Sequence, residues 1–158
     1  MLFLNAMLIV VVEKDWIFIK MNKIQSKLEF LKEVGCQNVR HQDRTLLEHL
    51  IGTSEKLKKL GAPQYLQDAG LFHSIYGTAS FMPNRGVVKL EERDKIQELI
   101  GEQSEEIVYW FCIMNTPRLE QIQKFTGQLK TDLLLLHTAN QTDISENNMM
   151  TWDEAYEL

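Results

Sequence analysis

The sequence predicts an all-α protein, a compact bundle of about six or seven helices. From Met21 onward, apolar residues recur at intervals of three and four, the period of helices that bury one face. Short breaks separate these segments, and a glycine stands where several of them end, at Gly35, Gly61, Gly101 and Gly127. Helices joined by such short connections are typical of a bundle.

The first three helices are predicted from their start and stop signals. One runs from Asn22 to the stop at Gly35. The second begins at a capping box, in which Thr45 is the N-cap and Glu48 reaches back to it, and it ends at Gly61. Proline suits the first turn of a helix, so the third is predicted over residues 63–73.

A loop rich in Gly, Pro and Asn follows at residues 77–88. Ser104 is expected to cap a helix whose first turn is acidic, which suits the helix dipole. The remaining helices are predicted over residues 91–100, 105–114, 117–126 and 128–137.

The composition indicates one soluble globular domain. At 158 residues the chain is long enough to bury a substantial core, and 44% hydrophobic and 25% charged residues are ordinary values. A net charge of −5 argues against a nucleic-acid binder, and the basic run at residues 56–59 is interpreted as a solvated helix end. The two cysteines, Cys36 and Cys112, form no CxxC motif, so we expect reduced thiols and a cytoplasmic location.

Residues 1–20 are an N-terminal extension with two open interpretations. The apolar run at residues 2–12 is shorter than the roughly 20 residues of a membrane-spanning helix. It also lacks the basic start and the small-residue cleavage site of a secretory signal, so we expect no membrane partner. The extension forms either two short strands or a segment ahead of a natural translation start at Met21.

Three of the four histidines lie in two polar segments. The capping box leaves His41 in the loop before its helix and His49 in the first turn of that helix. His73 ends the next helix, which runs antiparallel across a tight turn and so returns His73 to the neighbourhood of His49. Convergence of three imidazoles predicts a metal or catalytic site. The alternative is that these side chains satisfy backbone groups at helix ends, as we expect for His137.

The residues around two of these histidines resemble the HD-domain superfamily of metal-dependent phosphohydrolases. The matching residues are His49, a glycine twelve positions later and the segment Ala69-Gly70-Leu71-Phe72-His73. The spacing is closest to that of the stringent-response alarmone hydrolases. Residues 92–108 also look like a continuation of that pattern.

A closer likeness is to an uncharacterised family with two motifs, RTLLxHLxGT and GLFHSIYGT. The first is present at residues 44–53 and the second at residues 70–78. This resemblance extends over about residues 28–118. It implies an HD-like helical domain, assigned here to residues 21–139, followed by a polar C-terminal tail at residues 140–158.

The resemblance implies a divalent metal ion, although one of the expected ligands is replaced. The HD signature has Asp directly after its second His, and this chain has Ser74 there. A site of three imidazoles, with a carboxylate from Asp43, suits Zn²⁺, Fe²⁺ or Mn²⁺ better than Mg²⁺. The predicted metal ligands are His41, His49 and His73. The superfamily also has a late helical Asp, for which the candidates are Asn115, Asp132 and His137.

Five residues near the histidines are candidates for substrate binding: Arg44, Ser74, Tyr76, Thr78 and Arg85. The two arginines are suited to grip a phosphate or carboxylate with paired N–H donors. Tyr76 and Thr78 carry hydroxyl donors for a ligand oxygen. Arg44 has an alternative role as a surface residue, and the two hydroxyl residues have one as partners for the end of the helix.

Two functions fit these features. The first is a metal-dependent hydrolase of a small phosphorylated metabolite, in which Asp43 or Glu48 orients a ligand or accepts a proton. An oxygen-using iron enzyme, as in another branch of the superfamily, is a variant of this hypothesis. The second is a catalytically degenerate HD-like module that binds a small anion or a partner protein, which the serine at position 74 favours.

Overall fold

The computed structural model describes residue 19 and residues 21–81 and 86–147. This part of the chain is all-α, as predicted, with seven α-helices and one two-stranded hairpin. The interpretations of residues 1–20 lie outside the described residues, except that Ile19 is helical. Arg85 and residues 148–158 of the predicted tail also lie outside them.

The elements follow one another with short connections. Helix α1 covers residues 21–33, and a 3₁₀ turn at Cys36–Asn38 leads into strands β1 (Arg40–His41) and β2 (Arg44–Thr45), which pair antiparallel. The second 3₁₀ turn is Leu90–Glu92. The other helices are α2 (Leu46–Lys59), α3 (Gln64–Phe72), α4 (Arg93–Ile100), α5 (Glu102–Ile113), α6 (Arg118–Ile122) and α7 (Gly127–Glu146).

The predicted capping box at the start of α2 is confirmed. The Thr45 hydroxyl accepts a hydrogen bond from the Glu48 backbone N–H at 3.2 Å, and the Glu48 carboxylate accepts one from the Thr45 backbone N–H at 2.7 Å. These bonds satisfy donors that a helix start otherwise leaves unpaired. They also fix where α2 begins relative to the hairpin, and therefore where its first turns present their side chains.

Several helix boundaries differ from the sequence prediction, among them the end of α6, which lies at Ile122 and not at residue 126. Helix α5 begins at Glu102, not after Ser104, because Gly101 adopts a left-handed φ of 88° that turns the chain directly from α4 into α5. Helix α7 continues to Glu146, through the first residues of the predicted polar tail. Asn140 and Asp143 are buried there, so tertiary packing outweighs their weak helix propensity.

Helix α2 is the centre of the bundle. It packs against both α3 and α7, and α3 also packs against α5. The largest side chains with no more than 1% exposure belong to this core and include Leu46, Leu50, Leu57, Leu66, Phe72, Ile107, Phe111 and Leu133. None of the helices within the described ranges is long and apolar enough to cross a lipid bilayer.

Candidate functional site

A cluster of buried polar side chains lies where α2, α3 and α7 meet. It consists of His49 on α2, His73 at the end of α3, and Asn140 and Asp143 on α7, each at most 6% exposed. Buried polar groups need partners. Their hydrogen bonds therefore define what the site can do.

The orientation of His73 is set inside its own helix. Its Nδ1 lies 2.7 Å from the carbonyl oxygen of Gly70, three residues earlier. A carbonyl only accepts hydrogen bonds, so Nδ1 carries the proton of the neutral ring. The other nitrogen, Nε2, therefore presents a lone pair to the interior of the cluster.

The orientation of His49 is set from α7. Its Nδ1 lies 2.7 Å from Oδ2 of Asp143. A neutral ring has a single proton, and this closer, charged carboxylate is a stronger acceptor than the Asn140 amide oxygen, so Nδ1 donates to it and Nε2 has no proton. That Nε2 is 3.1 Å from Nε2 of His73 and 3.0 Å from the side-chain Oδ1 of Asn140. Two imidazole lone pairs and an amide group therefore face one point.

Both imidazoles are neutral near pH 7. Burial, together with the charges of nearby residues, lowers the pKa of His73 to about 4. Burial, and then the neighbouring His73, lowers the pKa of His49 far below its usual range. Facing lone pairs repel each other, whereas a cation between them is attracted to both. Two nitrogen ligands of a tetrahedral zinc ion lie about 3.3 Å apart, close to the separation in this cluster.

The Asp143 carboxylate also forms an ion pair with Arg44. The Arg44 guanidinium donates through Nη2 to the same oxygen, Oδ2, that accepts from His49. The Asp143 side chain is 2% exposed, so pairing with a cation is what keeps its charge tolerable. Arg44 therefore lies behind His49 and binds a carboxylate of the protein itself.

His41 borders the cluster. Its ring centroid is 4.4 Å from that of His49, in an edge-on arrangement, and 4.4 Å from that of Phe81. Burial, with a contribution from Arg44, lowers the pKa of His41 to about 4. Its Nδ1 is buried and has no hydrogen-bond partner among the residues that the structure describes. Within these residues, no group of three or more His, Cys, Asp or Glu side chains is arranged to hold a metal ion.

The predicted acid–base residues lie on the surface. Asp43 and Glu48 are exposed, and both line a shallow groove of about 370 Å³ beside the hairpin, together with Arg40 and Arg44. The Glu48 carboxylate is bonded to Thr45 in the capping box. Arg44 thus contacts the histidine cluster and the groove at the same time.

The predicted substrate-binding residues after His73 make internal contacts. Ser74 is buried, and Thr78 accepts a hydrogen bond from the Phe81 backbone N–H at 3.0 Å through its hydroxyl. The hydroxyl of Tyr76 donates to Glu105 at 2.9 Å, and burial and this carboxylate raise the pKa of Tyr76. Tyr76 and Thr78 also line a cavity of about 650 Å³, together with Val88 and Cys112.

Sequence reasoning missed three residues at the cluster. Asn140 and Asp143 supply its α7 side, and Arg118 lies with its guanidinium 4.1 Å from the centre of the Phe111 ring, which packs edge-on against His73. The available signal was the three-residue spacing of Asn140 and Asp143, which continues the buried face of α7 in polar form. The three residues considered as the late ligand have different surroundings. Asp132 binds Tyr65 and Gln128, Asn115 is exposed, and His137 is buried.

The comparisons with known proteins found one family. No curated protein and no solved structure matches the chain. A family model described as a domain of unknown function, DUF6817, matches residues 30–116, which include His41, His49 and His73 but end before α7. Because this match spans more than half of the 158 residues, the chain belongs to the DUF6817 family.

Proposed function

We propose that this protein binds a divalent metal ion between His49 and His73 and hydrolyses a small phosphorylated metabolite. The observation that carries the proposal is the 3.1 Å separation of the two Nε2 atoms, each deprotonated because the other ring nitrogen donates a hydrogen bond. Histidines that ligate metals usually have their second nitrogen bound to a carboxylate or a backbone carbonyl in this way. The resemblance to HD-domain phosphohydrolases supports the reaction class.

The donor set fits Zn²⁺, Fe²⁺ or Mn²⁺. Two imidazole nitrogens and the side-chain oxygen of Asn140 face the same point, and imidazole favours these ions over Mg²⁺. A bound ion of this kind supplies Lewis acidity, which polarises a phosphoryl oxygen or lowers the pKa of water. The residues of the chain orient the two imidazoles and exclude bulk water from them.

The charges around the cluster favour an anionic ligand. Arg44 is near His49, and the positive charge of Arg118 contributes to the lowered pKa of His73. Asp143 offsets one of these two cations. A metal ion would add positive charge, so a ligand with a phosphate or carboxylate group suits the site better than a neutral one.

A second candidate function is that of a module that binds an anion without turning it over. Ser74 stands where the HD signature has its aspartate, and a serine hydroxyl is a weaker metal ligand than a carboxylate. Among the described residues, the carboxylate bonded to the cluster histidines is that of Asp143, and it is paired with Arg44. Both features favour binding over catalysis.

Metal content tests the proposal. We expect near-stoichiometric Zn²⁺, Fe²⁺ or Mn²⁺ in the purified protein, by elemental mass spectrometry, and its loss in the His49→Ala/His73→Ala double variant. Ile96→Ala removes a fully buried side chain on α4, outside the cluster, and is the control, because it should retain the metal. No metal in the wild type, even after reconstitution with each ion, would contradict the site.

Turnover separates the two candidate functions. The metal-loaded protein is assayed for release of inorganic phosphate from a panel of phosphorylated nucleotides and sugars. We expect metal-dependent release that the His49→Ala/His73→Ala variant lacks. Metal binding with no release of phosphate across the panel would favour the binding module.

A further inference from the structure

We propose that Asp143 is a positioning residue, which sets the proton position and orientation of the His49 ring, and that Arg44 and Gly52 hold its carboxylate where it does so. The consequence for metal affinity rests on the proposed function. The effect on the His49 ring does not rest on the proposed function, because it follows from contacts between residues of the chain itself.

Asp143 determines which nitrogen of His49 carries the proton. A neutral imidazole carries its proton on one of two nitrogens, and the hydrogen bond made by one nitrogen decides which. Asp143 accepts from Nδ1 at 2.7 Å, which keeps the proton there and leaves Nε2 free toward His73. Without this carboxylate, the proton is free to move to Nε2 and block the face that His73 and Asn140 share.

Arg44 holds the Asp143 carboxylate in position. Its Nη2 donates to the same Asp143 oxygen that accepts from His49, so two donors from one side fix the position of that atom. The Arg44 side chain is 16% exposed and therefore spans the distance from the surface groove to the buried carboxylate. Its charge allows Asp143 to remain ionised in the interior.

Gly52 leaves space for this ion pair beside α2. It lies three residues after His49 on the same face of the helix. A Cβ atom at this position would overlap the Asp143 carboxylate, with the Asp143 Cγ only 2.9 Å away and Arg44 Nη1 at 3.3 Å. A glycine inside a helix costs about 1 kcal/mol relative to alanine, so the position bears a penalty. The close approach of this ion pair to α2 explains why the chain has glycine there.

The test uses two variants that remove the carboxylate or displace it. Asp143→Ala deletes the acceptor. Gly52→Ala displaces the Asp143 carboxylate without removing any polar side chain. Ile96→Ala, on α4, is the control for lost stability, because Ile96 is fully buried in the core and lies on none of the helices that form the cluster. All measurements use the full chain.

The first readout is the proton position, from nitrogen-15 NMR of the histidine rings in metal-free protein. We expect His49 to carry its proton on Nδ1 in the wild type and in Ile96→Ala, and to shift toward Nε2 in Asp143→Ala and Gly52→Ala. If His49 keeps the Nδ1 proton in both cluster variants, the positioning role is wrong. The same conclusion follows if Ile96→Ala shows an equal shift.

The second readout is the affinity for Zn²⁺, from competition with a chelating dye. We expect a loss of about 10- to 100-fold in Asp143→Ala and a smaller loss in Gly52→Ala. If the wild type binds no Zn²⁺ but the proton still shifts in the variants, the positioning role stands and the proposed metal function fails. A loss of affinity without a proton shift would overturn the positioning role.

Discussion

The two central imidazoles are oriented by acceptors of very different origin. His73 donates to the Gly70 carbonyl three residues earlier, so its orientation is a property of the last turn of α3. His49 donates to Asp143, which lies 94 residues further along the chain. One half of the candidate site is therefore encoded locally, and the other half forms only when α7 packs against α2.

The two cysteines are buried thiols with raised pKa values. Burial raises the pKa of Cys36 to about 11 and that of Cys112 to about 12. The Cys112 thiol also donates to the His73 carbonyl oxygen at 3.1 Å, which ties α5 to the end of α3. Neither thiol is available as a nucleophile near neutral pH, since the thiolate is the reactive form.

The raised pKa values of these two thiols predict that the folded protein loses stability at alkaline pH. In the unfolded chain they ionise near pH 9, whereas in the folded protein they stay protonated up to pH 11 or 12. Their stabilising contribution is therefore complete below pH 9 and declines above it, by about 1.4 kcal/mol per pH unit for each thiol. Urea unfolding between pH 7 and pH 10.5 should show this decline.

A Cys36→Ala/Cys112→Ala double variant is the control for the alkaline effect. It should be less stable than the wild type at pH 7, but its free energy of unfolding should fall less steeply above pH 9. Equal slopes for the two proteins would show that other groups, such as Tyr76, dominate the alkaline limb.

A single buried carboxylate joins α4, α5 and the segment after α3. Glu105 on α5 is 0% exposed and accepts hydrogen bonds from Arg93 through two nitrogens, at 2.7 and 2.6 Å. It also accepts from Gln97 at 3.1 Å and from Tyr76 at 2.9 Å. Every oxygen lone-pair region of this carboxylate is used, so the group is a structural junction and supports the segment that carries Tyr76.

Replacing Glu105 by Ala should destabilise the fold by about 3 kcal/mol, because it leaves four donor groups on three buried or half-buried residues without their acceptor. The value is at the lower end for a buried ion pair, because the Arg93 side chain is 30% exposed and keeps part of its hydration. Chemical denaturation measures the change. Glu106→Ala, at the exposed neighbouring position, is the control and should change the free energy of unfolding by less than about 0.5 kcal/mol.

Helix boundaries were predictable where a side chain forms the cap. Thr45 and Glu48 mark the start of α2 in the sequence because the capping box is a local pattern. The start of α5 was not predictable in the same way, since Ser104 has the residue type of a cap but lies buried inside the first turn. The end of α7 depends on burial of Asn140 and Asp143, and their three-residue spacing alone does not distinguish a buried polar face from an exposed one.

In the candidate site, too, the part that depends on a short connection was predicted from the sequence, and the part that depends on long-range packing was not. His49 and His73 were predicted to meet because one tight turn joins α2 and α3, and their Nε2 atoms lie 3.1 Å apart. The α7 residues were not predicted, because 54 residues of chain, 73–126, separate that helix from α3 and leave its direction open. Arg44, which the sequence marks as a candidate for binding an anionic substrate, pairs with Asp143.

Because the candidate ligands come from α2, α3 and α7, a bound metal ion would link three helices that are distant in the chain. Anything that binds the folded state alone adds stability, by about 2.7 kcal/mol at a free concentration 100 times its Kd. We therefore expect Zn²⁺ at that excess to raise the Tm by about 5–10 °C, and a chelator to reverse the change. Differential scanning calorimetry measures both shifts. The His49→Ala/His73→Ala variant should show neither, and an equal rise in that variant would mean that the ion binds elsewhere on the chain.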